Sequence, residues 1–212
     1  MQNVMRKQFV AWLLLGLLLG TGGSVFGEVK EASYTVERTD GIFQVRIYAP
    51  QVVAETVVDG TLEDAGNKAF RLLFNYISGA NRSKGKIAMT TPVAQQSEGE
   101  KIAMTSPVGQ EALSNQWAVT FMMPPGYTLE TLPEPTDGKV HLRAIPARRM
   151  AAVKYSGTWS RQRYELNLTK LRQWMKAERL EAIGDPIWAR YNPPFTPWFL
   201  RRNEVLVPLQ NR

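Results

Sequence analysis

Apolar and polar side chains alternate along residues 43–48, the pattern of a strand with one buried face. The apolar set, expected to face the core, is Phe43, Val45 and Ile47, and the polar set, expected to face solvent, is Gln44, Arg46 and Tyr48. The Ala49-Pro50 pair interrupts this pattern. Residues 52–58 then predict a second strand, which ends at a turn signalled by Gly60.

The next stretch has apolar residues at helical spacing. The residues of this apolar face are Ala65, Ala69, Leu72, Leu73, Tyr76, Ile77 and Ala80. Thr61 followed by Asp64 resembles a capping box, and Ser78 with Gly79 supplies a stop signal. We therefore predict an amphipathic helix that begins after Thr61 and ends near Gly79.

The second half of the chain repeats this order of elements. Residues 140–146 and 149–155 predict two strands, and a Gly-Thr turn follows at Gly157, 97 positions after Gly60. A second helix follows, with Ser160 as its expected cap and Gly184 expected just past its end. The residues that share one face of this helix are Tyr164, Leu168, Leu171, Trp174, Met175 and Glu178.

Further strands follow each helix. They are predicted over residues 87–89, 102–104 and 117–123 in the first half and over residues 187–191 and 204–209 in the second. The repeated order indicates pseudo-repeats over about residues 42–123 and 139–209. We expect an α+β fold made of duplicated β-α-β halves around a shared antiparallel sheet. Chance repetition is the alternative, since short alternating strands are common.

A shorter repeat lies inside the first half. The octapeptide of residues 86–93 returns with one change at residues 101–108, after a polar spacer. Each copy ends in Thr-x-Pro-Val, and proline cannot donate to a strand ladder, so each copy predicts a short strand stopped at a fixed point. Together they predict a hairpin that presents Met89 and Met104 either to the core or to a pocket.

The first 27 residues are typical of a secretory signal peptide. Arg6 and Lys7 precede an apolar run over residues 9–19, and small residues near Gly27 offer a cleavage site. A membrane-spanning helix needs roughly 20 apolar residues, so cleavage is favoured over retention as an anchor. We expect an exported protein, periplasmic or extracellular, whose domain covers residues 28–212 and which meets a membrane only through an uncleaved N-terminal segment.

Charge and cysteine content exclude several classes of function. The net charge of +7 falls to +5 without residues 1–27, and the basic residues are scattered apart from two Arg-Arg pairs. A nucleic-acid partner is therefore not expected, because such proteins usually carry a basic stripe. The absence of cysteine excludes disulfides, thiolate metal sites and a cysteine nucleophile.

Catalytic motifs are scarce. The single histidine, His141, lies in a predicted strand, so a two-histidine metal site is excluded and a serine-histidine-acid triad has no supporting motif. Glu55 and Glu204 lie in predicted strands and could act as general bases if buried. The acidic residues near the helix N-termini, where the dipole favours them, are Glu63, Asp64 and Glu165. From the residues alone, these carboxylates are the feature that could support an enzyme.

Residues 191–200 form an aromatic loop with four aromatic residues and three prolines. Arg201 and Arg202 follow directly. A rigid aromatic loop that ends in two guanidinium groups could fold over a flat apolar ligand with acidic substituents. It could equally be a connector packed on the sheet.

These motifs resemble the SOUL haem-binding family over residues 34–209. The matching segments are Arg46 and Tyr48 in the early strand, residues 76–79, residues 86–93, residues 191–195 and residues 201–205. The resemblance implies a distorted antiparallel barrel flanked by two helices, as in effector-binding domains of the gyrase-inhibitor type. It also implies non-covalent binding of haem or another tetrapyrrole, without an established reaction, so we expect a binding protein and not an enzyme.

The resemblance also points to candidate ligand contacts. Members proposed to coordinate iron carry a histidine where this chain has Ile47, so histidine coordination is not expected. Apolar contact would hold the porphyrin, and Arg or Lys would pair with its propionates. The candidate residues are Met89, Met104, Lys86, Lys101, Tyr191, Phe195, Trp198, Arg201 and Arg202. The alternatives are a domain for another hydrophobic small molecule, for example a cationic one, and a hydrolase that uses a pocket carboxylate.

Overall fold

The computed structural model describes residues 30–83, 99–113, 115–193 and 195–211 of the 212-residue chain. The helices are α1 (Leu62–Ile77) and α2 (Arg161–Ala177), and one turn of 3-10 helix covers Trp198–Leu200. The strands are β1 (Lys30–Glu31), β2 (Tyr34–Asp40), β3 (Phe43–Tyr48), β4 (Gln51–Asp59), β5 (Asn81–Arg82), β6 (Thr105–Ser106), β7 (Val108–Leu113), β8 (Gln116–Met122), β9 (Glu134–Pro135), β10 (His141–Ile145), β11 (Arg148–Tyr155), β12 (Ile187–Arg190) and β13 (Asn203–Leu209).

Nine strands form one antiparallel sheet that curls into a half-barrel. Their order is β10-β4-β8-β7-β12-β13-β11-β3-β2. Without the outer strand β2, this order runs symmetrically outward from the central β7–β12 pair. The first strand of each half pairs with the second strand of the other half, β3 with β11 and β10 with β4. The expected α+β fold is confirmed, and the two halves complete each other's sheet.

The turn before each helix is built alike in the two halves. Gly60 has a φ of 132° and Gly157 has a φ of 127°, values that residues with a Cβ rarely adopt. Thr61 and Ser160 then cap their helices, accepting hydrogen bonds from the backbone N–H groups of Asp64 and Arg163. Both predicted caps are confirmed.

The helices cover one face of the sheet, where two core clusters lie. One cluster joins α2 to β3, β11 and β13, and the other joins α1 to β4 and β8. The opposite face is the inner one, because a single cavity there touches side chains from Tyr48 on β3 and Arg143 on β10, near the two ends of the strand order.

The end of α2 differs from the sequence-based expectation. The helix ends at Ala177, well before Gly184. Arg179 adopts a positive φ of 54°, and the N–H of Leu180 turns back to the carbonyl of Met175 at 2.9 Å. An arginine therefore takes the left-handed position that glycine usually fills at helix ends.

The predicted solvent face of β3 is wrong. Arg46 is 2% exposed and Tyr48 is 4% exposed, whereas Ile47, predicted to be buried, is 44% exposed. Val45 packs under α2, and Arg46 and Tyr48 lie on the inner face of the half-barrel. Alternation separates the two faces of a strand, but it does not reveal that curling buries the polar face as well.

The hairpin predicted from the octapeptide repeat is corrected in its second copy. Residues 102–104 are not a strand, because the N–H of Ile102 donates to the carbonyl of Ile77 at the end of α1. The chain then forms β6, which pairs in parallel with β1, and continues beyond Pro107 as β7. The first copy, residues 86–93, lies outside the described residues. Among the described residues, no helix is long and apolar enough to cross a membrane.

Candidate ligand-binding site

The inner face of the half-barrel is apolar at its centre. Its buried apolar side chains form two groups, Tyr48, Met150, Ala152, Ile187, Ala189 and Leu206 in one and Val53, Met122 and Ile145 in the other. The cavity on this face measures about 50 Å³. Ligand pockets usually measure roughly 300–1,000 Å³, so a flat macrocycle does not fit into this cavity as it stands.

Residues 31–33 cover part of the apolar inner face. Ala32 contacts both groups of apolar side chains, and its N–H donates to the carbonyl of Ser106 at 3.0 Å. The carbonyl of Ser33 accepts from the N–H of Ala49 at 3.1 Å. This segment is thus held by backbone hydrogen bonds on both sides of the apolar inner face.

A buried carboxylate, Glu204 on β13, stands at one end of the inner face and is 0% exposed. Arg46 holds both of its oxygens, with Nη1 2.6 Å from Oε2 and Nη2 3.1 Å from Oε1. The hydroxyl of Tyr191 donates to Oε2 at 2.8 Å, and Nε of Arg202 donates to Oε1 at 3.0 Å. Arg202 also pairs with Glu31, so this charge network runs from the core to the surface.

The network keeps Glu204 ionised. Burial acts to raise the pKa of Glu204, but the hydrogen bond and charge of Arg46, with the charge of Arg202, hold that pKa below its ordinary value. Burial lowers the pKa of Arg46, but the bond to Glu204 outweighs it and the pKa is raised. Burial raises the pKa of Tyr191 well above its ordinary value, so its hydroxyl remains a neutral donor.

An open groove of about 650 Å³ lies beside this network. The β2–β3 turn, the end of β11 and residues 199–202 form its walls. Its larger apolar side chains are Ile42, Tyr155, Phe199 and Leu200, and its cationic side chains are Arg46, Lys154, Arg201 and Arg202. Unlike the central cavity, the groove has the size and the mixed lining of a small-molecule site.

The charge of the groove is positive. Arg46 and Arg202 are balanced by Glu204 and Glu31. Lys154 is exposed and has no carboxylate partner among the residues that the structure describes. The groove can therefore accept an acidic group without first breaking the buried network.

The aromatic loop is anchored through its backbone and leaves its tip exposed. The carbonyl of Trp198 accepts from the N–H of Gly157 at 3.0 Å. Nε of Arg201 donates to the carbonyl of Thr196 at 2.7 Å, and its guanidinium lies 4.3 Å from the ring centre of Trp159. The loop is therefore a fixed connector, and two of its exposed side chains, Phe199 and Leu200, border an open groove. Its role in covering a flat ligand stays a prediction.

The structure brings only some of the candidate residues together. Arg201 and Arg202 line the groove, and Tyr191 joins them through Glu204. Phe195 and Trp198 lie on the same loop but outside the groove wall. Met104 packs against the core cluster of α1, and Lys101 is exposed outside the groove. Lys86 and Met89 lie outside the described residues.

The candidate residues did not include Phe199 and Leu200 of the aromatic loop, nor Ile42, Lys154 and Arg46, which reach the groove from other elements. Ile42 and Lys154 carry no local signal, because an apolar turn residue and a lysine at a strand end are ordinary. Arg46 did carry a signal, since it belongs to the matched motif of the early strand. The alternation pattern placed it in solvent, and only the pairing of β3 with β11 and of β11 with β13 brings it to Glu204.

The described lining of the groove lacks the side chains that most often bind haem iron. Among the described residues that line it there is no histidine, methionine or cysteine, and no metal-binding cluster of histidine, cysteine or carboxylates occurs elsewhere in the described chain. The hydroxyl of Tyr155 is buried and does not face the open groove. His141 lies exposed on β10, at the other end of the strand order.

Structural comparison identifies relatives of the fold. The C-terminal domain of EcmrR has a TM-score of 0.58 at 10% sequence identity, with 84% of this chain and 99% of that domain covered. A protein described as a hydrolase from Listeria innocua has a TM-score of 0.54 at 11% identity, with 82% and 94% covered. At such identities the likeness concerns the fold alone.

Sequence comparison identifies the family. Heme-binding protein 1 from Xenopus tropicalis is 26% identical over 168 residues, which cover 78% of this chain and 83% of that protein. The model of the SOUL heme-binding protein family matches residues 29–208, nearly the whole domain. This match and the pseudo-symmetric half-barrel agree with each other, and the chain belongs to the SOUL heme-binding protein family.

Proposed function

We propose that this protein binds haem or a related tetrapyrrole non-covalently in the groove beside the aromatic loop. The observation that carries the proposal is the combination of exposed apolar walls, Ile42, Phe199 and Leu200, with cations at the same groove. Porphyrins are flat and apolar with two acidic propionates, and this lining complements both properties. The family and the name of its Xenopus tropicalis relative support the same ligand class.

Each group in the groove has a distinct role in this proposal. Phe199 and Leu200 contact the macrocycle from the aromatic loop, and Ile42 contacts it from the β2–β3 turn. Lys154 and Arg201 pair with the propionates, whereas Arg202 and Tyr191 hold the base of the loop through Glu204. Met104 and Lys101 are not part of the proposed site. Bound haem would bring a redox-active iron with an intense Soret absorption.

Binding without histidine coordination is part of the proposal. The described groove wall presents no imidazole or thioether to the iron. The affinity must then come from apolar contact and from propionate pairing, and not from a bond to iron. Metal-free protoporphyrin IX should consequently bind about as tightly as hemin.

A non-enzymatic role fits Glu204 better than hydrolysis does. A general base works best with a pKa near the operating pH, which for a carboxylate requires a raised value. The pKa of Glu204 is lowered, and both of its oxygens are occupied by Arg46, Arg202 and Tyr191. A cationic hydrophobic ligand is disfavoured for a related reason, since arginines accompany the carboxylates of both Glu204 and Glu55.

Titration of the chain from residue 28 with hemin, followed at the Soret band, tests the proposal. We expect saturation with a dissociation constant below roughly 10 μM. Leu200→Asp should weaken binding about tenfold or more, because it places an anion beside the macrocycle and its propionates. Ile183→Asp is the matched control, because Ile183 is equally exposed and lies outside the groove.

Absence of a saturable shift would refute haem binding, and equal losses for Leu200→Asp and Ile183→Asp would refute the groove as its location. The exported location is a separate proposal. Mass spectrometry of material from the producing cells tests it and should find a mature N-terminus close to Gly27, together with any retained tetrapyrrole.

A further inference from the structure

Four apolar side chains of the aromatic loop form a tip that the core does not cover. They are Phe195, Trp198, Phe199 and Leu200, exposed by 75%, 54%, 58% and 65% respectively. We call these four residues the apolar tip. Phe199 and Leu200 also border the groove, whereas Phe195 and Trp198 do not. The groove therefore does not account for the whole apolar tip.

The apolar tip projects from the molecule. Trp198, Phe199 and Leu200 are consecutive residues of the 3-10 turn, so their side chains leave the backbone roughly 120° apart. A turn lying flat on the surface would bury at least one of three such side chains. All three are more than half exposed, so the turn stands out from its surroundings.

The projecting turn is built by the chain itself. The N–H of Leu200 donates to the carbonyl of Pro197 at 2.9 Å, and the N–H of Thr196 donates to that of Pro193 at 3.0 Å. The bond from Gly157 to Trp198 fixes the turn to the body of the protein. Clustered apolar surface held outward in this way marks an interaction site.

Two cations, Lys154 and Arg163, lie near the base of the apolar tip. Lys154 lines the same groove as Phe199. The guanidinium of Arg163 lies against Gly157, the residue that bonds to Trp198, because a Cβ built on Gly157 would come within 2.8 Å of its Nη1. Arg161 at the start of α2 is exposed, and its ion pair among the described residues is a loose one of 3.8 Å with Glu165. The matching partner should therefore accept the apolar tip in an apolar layer and present acidic groups to the cations at the base of the tip.

We propose that the apolar tip inserts into the interface of an anionic lipid bilayer while Lys154 and Arg163 contact acidic headgroups. Aromatic side chains favour the membrane interface, and basic side chains beside them are attracted to anionic lipid. A stable protein interface buries about 800 Å² on each partner, which suits a broad patch better than a single projecting turn. The bilayer is therefore the better match in both shape and charge.

The inference goes beyond tetrapyrrole binding and does not depend on it. The groove opens beside the apolar tip, so a docked protein would present the groove at the bilayer surface. An apolar ligand dissolved in lipid could enter it without crossing water. The docking itself requires only the apolar tip and its cations.

Vesicle flotation of the chain from residue 28 tests the proposal without any haem. This form lacks the apolar run of residues 9–19 and keeps every described residue. We expect binding to vesicles of phosphatidylcholine mixed with phosphatidylglycerol to be about tenfold stronger than binding to pure phosphatidylcholine. Raising the salt concentration should reduce the difference.

Two single variants locate the contact. Trp198→Ser and Leu200→Ser should each lower the partition coefficient roughly fivefold. Ile183→Ser is the matched control, because Ile183 and Leu200 are both 65% exposed. It should leave the partition coefficient unchanged, because Ile183 lies outside the apolar tip.

Lys154→Glu tests the contribution of the cations and should weaken binding to anionic vesicles at least about fivefold. Lys139→Glu is its control, since Lys139 is an exposed lysine of the loop between β9 and β10.

Three results would overturn the proposal: no vesicle binding, equal binding to neutral and anionic vesicles, or equal losses for Ile183→Ser and Leu200→Ser. No vesicle binding would point to a protein partner for the apolar tip. Because haem is absent, a failed hemin titration leaves this test unaffected. Urea unfolding of each variant should give an unchanged midpoint, because the substituted side chains are exposed.

Discussion

Replacing Arg46 by methionine tests the buried charge network. Arg46→Met keeps much of the side-chain length and removes two of the four hydrogen bonds to Glu204, together with the positive charge 2.6 Å from Oε2. Glu204 stays 0% exposed with Arg202 and Tyr191 as its remaining partners. The variant thus leaves a buried carboxylate with two of its four hydrogen bonds.

Removal of one partner from a buried ion pair typically costs 3–5 kcal/mol of unfolding free energy. We expect about 3 kcal/mol here, the lower end, because Arg202 still faces the carboxylate. The double variant with Glu204→Gln should recover most of the loss, since a neutral amide needs no counter-charge. Urea unfolding followed by far-ultraviolet circular dichroism measures both values.

The pH dependence gives an independent check. The pKa of Glu204 in the folded protein lies below its ordinary value of 4.5, so the ionised group contributes stability above pH 4.5. That stability is lost as the pH falls through the folded pKa. In Arg46→Met, burial still raises the pKa of Glu204, but Arg46 no longer opposes it, so this pKa rises in the folded protein. The loss of stability should therefore be largest at neutral pH and smaller below pH 4.5.

The second half of the chain supplies the control. Arg143 occupies the position 97 residues after Arg46 and pairs with Glu55, but its side chain is 48% exposed. Arg143→Met should cost less than about 1 kcal/mol. Equal losses in the two variants, or a loss in Arg46→Met that does not change with pH, would refute the argument that burial makes the Arg46 pair important.

Further predictions concern the turns, the caps and the ligand. Gly157 has a positive φ, so Gly157→Ala should destabilise the protein by about 1 kcal/mol or more in urea unfolding. Gly138 has open space around it, so Gly138→Ala should be nearly neutral in the same assay. Ser160→Ala should cost about 1 kcal/mol in the same assay, because α2 loses its capping oxygen. Protoporphyrin IX should bind within about threefold of hemin in competition fluorescence. Much weaker binding of protoporphyrin IX than of hemin would contradict the proposal that the protein supplies no iron ligand.

Local spacing predicted the elements of this fold well. Helical periodicity and a capping residue located α1 and α2, because both signals come from residues within one or two turns of each other. The repeated Gly-Thr turn revealed the duplication, because a positive φ requires glycine in each half. The strand predicted at residues 102–104 was wrong, because the N–H of Ile102 bonds to the end of α1 and not to a neighbouring strand.

The candidate site was predictable only in part. The aromatic loop and the two arginines after it were visible as a dense local cluster. Lys154 and Ile42 were not, because they reach the groove from different strands and turns. The burial of Arg46 was also hidden, since a strand of alternating residues looks the same whether its polar face meets water or a buried carboxylate.

Periodicity, caps and turn residues were enough to specify two β-α-β halves and the aromatic loop. Only the tertiary structure decided that β3 and β10 exchange partners between the halves, that curling buries Glu204 with Arg46, and that the central cavity is small while the groove is open. The physical reason is the range of the interactions. Dihedral preferences act between near neighbours in the chain, whereas burial and charge pairing depend on segments brought together across more than a hundred residues.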